Sequence, residues 1–123
     1  MMKFYKCDIC GKIIAMVNET AAETVCCGAA MHELVPNTTD GKYESHVPVY
    51  TVDGNTVTVK VGTNPHPMTD EHYIAWVAIE TDQGNQRKCL KPGVTPEAKF
   101  VLLPGEQVKN VYEYCTLHGL WKS

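Results

Sequence analysis

Thr56-Val57-Thr58-Val59-Lys60-Val61 decides the fold class. Polar and apolar residues alternate strictly through it, the period of a strand with one face on a core and the other in water. The same texture recurs on both sides, in Val47 to Val52, Tyr73 to Glu80, Gln86 to Leu90, Lys99 to Leu103 and Val108 to Tyr114. Between these runs lie Asp53-Gly54-Asn55, Asp82-Gln83-Gly84-Asn85, Lys91-Pro92-Gly93 and Leu103-Pro104-Gly105. Turn formers at that spacing predict an antiparallel sandwich or barrel. Only Tyr73 to Glu80 is long enough to be read as a helix instead, and no segment has a long helical period.

Residues 1 to 36 differ in texture. They hold four of the six cysteines, with short apolar patches such as Ile13-Ile14-Ala15-Met16-Val17 and little else to build a core from, so the segment needs a staple. Pro36-Asn37-Thr38-Thr39-Asp40-Gly41 is a cluster of turn formers and reads as the linker. The expected organisation is a cysteine-rich head, 1–36, and a β body, 37–123. A chain of 123 residues with 44% apolar residues can bury one sizeable core, which excludes a large multidomain enzyme.

The 11 basic and 14 acidic residues give a formal charge of -3 and form no long run of either sign, so no nucleic-acid-binding surface is indicated. Met1 to Cys7 lacks an apolar signal core, and the longest apolar run, Tyr73 to Ile79, is too short to cross a bilayer. The expectation is a cytoplasmic protein with no membrane partner. In a reducing compartment six cysteines point to thiol or metal chemistry before a disulfide framework.

Cys7-Asp8-Ile9-Cys10-Gly11 is a Cys-x-x-Cys turn closed by glycine, and the adjacent pair Cys26-Cys27 precedes Gly28. Four thiolates converging on one ion suit tetrahedral zinc or iron, and the metal would supply folding energy that so short a head lacks. Two neighbouring ligands are expected to bend the tetrahedron, which argues for a tuned iron over a plain zinc knuckle. A Cys26–Cys27 disulfide would be strained and is given little weight.

In the body, His46, His66 and His72 precede Cys115-Thr116-Leu117-His118. His66 stands between Pro65 and Pro67, which push it toward an extended conformation suited to a ligand on a rigid loop. Any one of these histidines alone is more often an ordinary residue. Four imidazoles and one thiolate are too nitrogen-rich for a structural zinc finger, and five ligands leave the sixth octahedral position of iron open. With Fe(II) and one thiolate the centre carries a net charge of about +1, which draws a small anion, while the thiolate pushes electron density onto whatever binds opposite. Cys89 reads as a small buried strand residue, and His32 as an ordinary residue of a head already supplied with ligands.

These residues resemble the desulfoferrodoxins, the two-iron class of superoxide reductases, along essentially the whole chain. The head is similar to desulforedoxin through Tyr5-Lys6-Cys7 to Cys10 and Val25-Cys26-Cys27-Gly28. The body is similar to the catalytic domain through Glu44-Ser45-His46-Val47-Pro48-Val49, Pro65-His66-Pro67-Met68, Glu71-His72-Tyr73-Ile74-Ala75-Trp76, Leu90-Lys91-Pro92-Gly93 and Glu113-Tyr114-Cys115-Thr116-Leu117-His118-Gly119-Leu120-Trp121. The resemblance implies a mainly β protein, a small desulforedoxin-like head followed by an immunoglobulin-like antiparallel β-sandwich, assembled as a homodimer. It implies two iron ions per chain: one on Cys7, Cys10, Cys26 and Cys27, the other with His46, His66, His72 and His118 equatorial and Cys115 axial. It further implies one-electron reduction of superoxide to hydrogen peroxide and re-reduction by rubredoxin or a similar electron donor. Glu44 matches the family's loop glutamate, the sixth ligand of the ferric state.

One departure stands beside that glutamate. Many members carry a lysine where this chain has Ser45, and the lysine's role is to attract superoxide and help deliver protons. Lys42 is near in sequence and is the candidate to lend its charge. The competing readings are an electron carrier or metal store using the same ligands, and a zinc-stabilised binding module with no redox role.

Overall fold

The computed structural model describes residues 1–39 and 41–123; Asp40, part of the expected linker, lies outside the described residues. The chain divides into two compact units, Met1–Val35 and Pro36–Ser123.

The head is built from very short strands: β1 (Phe4–Lys6), β2 (Ile13–Ala15), β3 (Val25–Cys26), β4 (Ala29–Ala30) and β5 (His32–Glu33). Strand β1 is central in a three-stranded antiparallel sheet, with β2 on one side and β5 on the other, and β3 pairs with β4. Strands of two and three residues bury too little to hold themselves, so the head depends on its cysteine cluster.

Among its described residues the body holds one short helix, α1 (Tyr43–His46), and seven strands: β6 (Pro48–Asp53), β7 (Thr56–Val61), β8 (Ile74–Thr81), β9 (Gly84–Cys89), β10 (Glu97–Val101), β11 (Val108–Cys115) and β12 (Gly119–Lys122). They form two antiparallel sheets, in the orders β10-β7-β6 and β12-β11-β8-β9. The alternation in β7 is realised as read: Val57, Val59 and Val61 are buried, whereas Thr56, Thr58 and Lys60 are not. Val57, Val59, Val61, Ala98 and Phe100 of one sheet share a core with Ile74, Val77, Ile79, Val111 and Cys115 of the other. Tyr73 to Glu80 is resolved as strand β8, mostly buried, which is why its apolar residues run on without the alternation of a half-exposed strand.

Two features position the site. Strand β11 pairs with β8 in regular register from Asn110↔Glu80 to Tyr114↔Trp76, and a bulge then sets Cys115 opposite Ile74. The extra residue re-aims the end of the ladder, and Cys115 enters the core beside Ile74. The segment read as a linker, as far as it is described, is no free tether. Asn37 donates its backbone N–H to the Leu120 carbonyl (3.0 Å); its side-chain amide accepts from the Lys122 N–H (2.8 Å) and donates to the Lys122 carbonyl (3.0 Å). Turn formers supply those polar groups as readily as they supply flexibility. Among the described residues no helix is long and apolar enough to cross a membrane.

Candidate metal centres

In the head, Cys7 follows β1 and Gly11 closes its turn: the Gly11 N–H donates to the Cys7 carbonyl (2.9 Å) with Gly11 at φ +81°. Cys26 ends β3 and pairs with Ala29, so Cys27 and Gly28 are the two central residues of a hairpin, at φ +54° and +74°. Positive φ at both positions is the type I′ turn that fits the twist of paired strands. The thiols converge, with Cys10 Sγ 3.7 Å from Cys26 Sγ and Cys26 Sγ 3.9 Å from Cys27 Sγ. A regular tetrahedron with bonds of about 2.3 Å has edges of about 3.8 Å. The adjacency of Cys26 and Cys27 is accommodated by the left-handed backbone of Cys27, and these two edges lie close to the regular value.

The same thiols do not ionise together unaided. The Cys10 N–H directed at Cys7 Sγ (3.5 Å) draws the Cys7 thiol down to about 6, while hydrogen bonding with Cys10 and Cys7 pushes Cys26 up to about 12. A cation is what lets four neighbouring thiols all become thiolates.

In the body, His46 comes from the last turn of α1, His66 from the Pro-flanked loop after β7, His72 from a bridge with Thr69 just before β8, and Cys115 and His118 from the turn joining β11 to β12. Around the ring sequence 46, 66, 72, 118 the neighbouring imidazole centroids are 4.8, 4.7, 5.0 and 4.6 Å apart, and neighbouring planes cross at 74°, 84°, 77° and 83°. Opposite rings His46 and His72 are 6.5 Å apart and 25° from parallel, close to the diagonal of a square with those sides. Cys115 Sγ completes the group, 3.5 Å from His66 Nε2 and 3.7 Å from His118 Nδ1.

The tautomers are set from outside the square. His46 Nδ1 lies 2.8 Å from the Lys42 carbonyl and His66 Nδ1 lies 2.7 Å from the Pro67 carbonyl, so each Nδ1 carries the proton and each Nε2 turns an unshared pair inward. His118 takes part through Nδ1, 2.9 Å from His46 Nε2, and His46 Nε2 is 3.2 Å from His66 Nε2. Right angles between bonds of about 2.1 Å separate neighbouring nitrogens by about 3.0 Å, so these contacts suit a shared cation. His72 Nε2 is buried without a hydrogen-bond partner, an orphan that a metal ion would satisfy.

Electrostatics agree with that fit. Burial holds His66 down to about 4 and lowers His46 and His72, which keeps them neutral and ready to ligate. Burial also raises the Cys115 thiol, opposed by the backbone N–H groups of His118 and Leu117. Cys115, His46 and His66 are buried while the neighbouring His72 and His118 are only half-buried, so the group is accessible from the His72–His118 side. Five donors with that side free can hold an iron ion and leave a position for a small ligand.

Glu44 lies on α1, exposed, and its carboxylate is outside the five-donor group; its carbonyl accepts from the Thr63 N–H (2.8 Å) and hydroxyl (3.1 Å). Ser45 is half-buried on the same turn. Gly93, in the Lys91-Pro92-Gly93 turn, donates to the Met68 carbonyl (2.8 Å) just beyond His66. Cys89, read as a buried strand residue, is instead exposed, with Arg87 Nη1 2.8 Å from its sulfur, because β9 is an edge strand exposed along nearly its whole length. His32 is exposed, with Nδ1 3.1 Å from Asp8. Glu113 went unremarked in the sequence, yet it is buried two residues before Cys115 on the same strand face, with both carboxylate oxygens unpartnered and its protonated form favoured by burial. A carboxylate in step with Cys115 along β11 was the available signal.

Residues 38–123 match the family described as Desulfoferrodoxin, and residues 1–34 match its N-terminal domain. The desulfoferrodoxin homolog of Archaeoglobus fulgidus is 43% identical over 123 residues, all of this chain and 97% of its own length. The superoxide reductase of Pyrococcus horikoshii is 35% identical and aligns with 68% of this chain and 88% of its own. Among solved structures, the superoxide reductase from Treponema pallidum superposes with a TM-score of 0.85 at 36% identity, over 100% of this chain and 98% of that one.

The two donor groups make separable demands. Cys10→Ser is expected to lower metal content from two ions per chain to one, leaving the histidine-rich centre loaded. Head affinity should fall as pH falls, more steeply below about 6 where Cys7 also takes up a proton. Metal analysis after equilibration at stepped pH reads both; equal loss from both centres in Cys10→Ser would contradict their independence.

Proposed function

The chain belongs to the desulfoferrodoxin family, and from that premise we infer that it is a superoxide reductase whose active centre is the His46, His66, His72, His118 and Cys115 group. The observation that carries this reading is the square of four imidazoles beside a wholly buried thiol, with His72 and His118 half-buried on one edge. His46, His66, His72, His118 and Cys115 would hold a ferrous ion, which would supply the one electron that, with two protons, takes superoxide to hydrogen peroxide, and an external donor would restore that electron.

The protein's own groups prepare that step. The Lys42 and Pro67 carbonyls hold two ring protons outward, so the inward nitrogens bring no charge to the metal. Cys115 would bring the single negative charge once a cation offsets the burial that raises its thiol, with the His118 and Leu117 N–H groups assisting, and the net positive centre would attract an anion. Glu44 is proposed as the sixth ligand of the oxidised state: it stands on the short turn that ends in His46, and its exposed carboxylate is free to approach. The Lys42 charge on that same turn is proposed to stand in for the family lysine replaced by Ser45. Cys7, Cys10, Cys26 and Cys27 form the closed four-thiolate iron centre of a domain spanning residues 1–36, and residues 37–123 are the catalytic domain.

The remaining assignments rest on chemistry and on one edge. A rubredoxin-like protein is the proposed electron donor, because one-electron turnover needs a one-electron carrier. Six free thiols favour the reducing cytoplasm. A homodimer is supported by β6, an edge strand of six residues on which Tyr50 and Val52, paired with core residues Val59 and Val57, remain exposed. An uncovered apolar edge of that length invites pairing with a second copy.

Reduced protein is expected to contain two irons and to consume superoxide stoichiometrically with peroxide formed; a colourless zinc-only protein would overturn the reading, and a two-iron protein inert to superoxide would favour an electron carrier. Ser45→Lys should speed superoxide binding and steepen its dependence on ionic strength in pulse radiolysis, and an unchanged rate counts against the charge argument. Val52→Lys should convert a sedimenting dimer to monomer, whereas an unaltered sedimentation coefficient removes β6 from the interface.

A further inference from the structure

Three of the four imidazoles present Nε2 to the centre, and two of these are anchored by an Nδ1–H bonded to a carbonyl. His118 uses Nδ1 itself and so cannot be held that way. Its position comes from its main chain, whose carbonyl accepts from both Trp121 Nε1 (3.0 Å) and the Thr39 hydroxyl. Trp121 is completely buried, and its ring lies against the His46 imidazole with centroids 4.9 Å apart and planes 24° from parallel. Tyr43 meets the indole edge-on at 5.4 Å, and a Cβ on Gly41 would fall 2.9 Å from Trp121 Cζ2 and 3.2 Å from His46 Cε1. The indole is thus wedged in place, one edge on the backbone of His118 and one face on the ring of His46.

We propose that Trp121 is a positioning residue that sets the spacing between the adjacent ligand nitrogens of His46 and His118, and with it the affinity and ligand field of the body iron. Only tryptophan offers both a flat apolar face and an N–H donor on its rim; phenylalanine keeps the first and loses the second. It touches neither substrate nor metal and acts through the two imidazoles. The inference rests on the assignment of His46 and His118 as iron ligands in the proposed reductase.

The test uses the full-length protein carrying both irons, with the head iron as internal reference. Trp121→Phe removes the donor and keeps the face. Gly41→Ala leaves the indole chemically intact and drives a methyl group between it and His46. Each is expected to weaken body-iron affinity by about 10-fold in competition with a chelator, within the range usual for groups that orient ligands. Each should also change the rhombicity of the ferric body-iron EPR signal while the head signal stays fixed. Trp121→Phe combined with Thr39→Val should exceed the product of the single losses, because the His118 carbonyl then loses both donors. If either variant folds and keeps wild-type body-iron affinity within twofold with an unaltered EPR signal, whatever its melting temperature, the proposal is overturned. A wild-type protein that binds no second iron overturns the ligand assignment itself, a separate outcome.

Discussion

A thiol at the end of a core strand is the constraint around which the body is arranged. Cys115 is the last residue of β11, shares the sandwich core with Ile74, Val77 and Phe100, and is raised by burial away from the ionised form that a metal needs. Two backbone N–H groups oppose the effect, and a cation is the partner that completes the balance. His46, His66 and His72 bring no charge of their own to that balance, since burial keeps these rings neutral. Five inward-facing donors, one of them a buried nitrogen with no hydrogen-bond partner, make the metal-free body costly, so cation binding and folding of this region are linked.

The four rings reach the square from separate parts of the chain, and backbone carbonyls do much of the aiming. His46 is tied to Lys42 within α1, and His66 to the next residue in its Pro-flanked loop. The turn bearing Cys115 and His118 is held against the start of β8, where Thr116 exchanges hydrogen bonds with the Tyr73 backbone at 3.0 and 3.2 Å. Those supports are on the outer side of the ligands, and the His72–His118 edge is left partly open to solvent. The head solves the same aiming problem by curvature: positive φ at Gly11, Cys27 and Gly28 turns the backbone around the thiols.

The ligands were legible in the sequence because metal chemistry restricts residue identity so sharply that Cys7-x-x-Cys10, Cys26-Cys27 and Cys115-x-x-His118 stand out without any knowledge of contacts. Strand β7 was legible because a half-buried strand must alternate. What escaped was non-local. The clamp from Asn37 to Lys122 spans 85 residues, and its turn-forming composition read as a tether. Strand β12 hid inside the motif that ends at Trp121, too short for a periodicity to appear. Cys89 was misplaced because a cysteine at the end of an apparent strand is ordinarily core, and only pairing order reveals that β9 is an edge. The choice of Nδ1 by His118 has no signature in residue types at all, since both ring nitrogens belong to the same letter.

The two centres differ in what their surroundings permit. Cys10 and Cys27 are exposed, and four thiolates fill a tetrahedral ion, so the head presents sulfur to solvent but no vacant position. The body reverses both properties: its sulfur is sealed in the core, and its free side faces solvent between half-buried imidazoles. A small anion therefore reaches the body centre past the half-buried His72 and His118, while the thiol is kept from solvent. Sealing the thiol also protects it from the peroxide that leaves, since a buried sulfur beneath four rings is reached by the product only through the metal position itself.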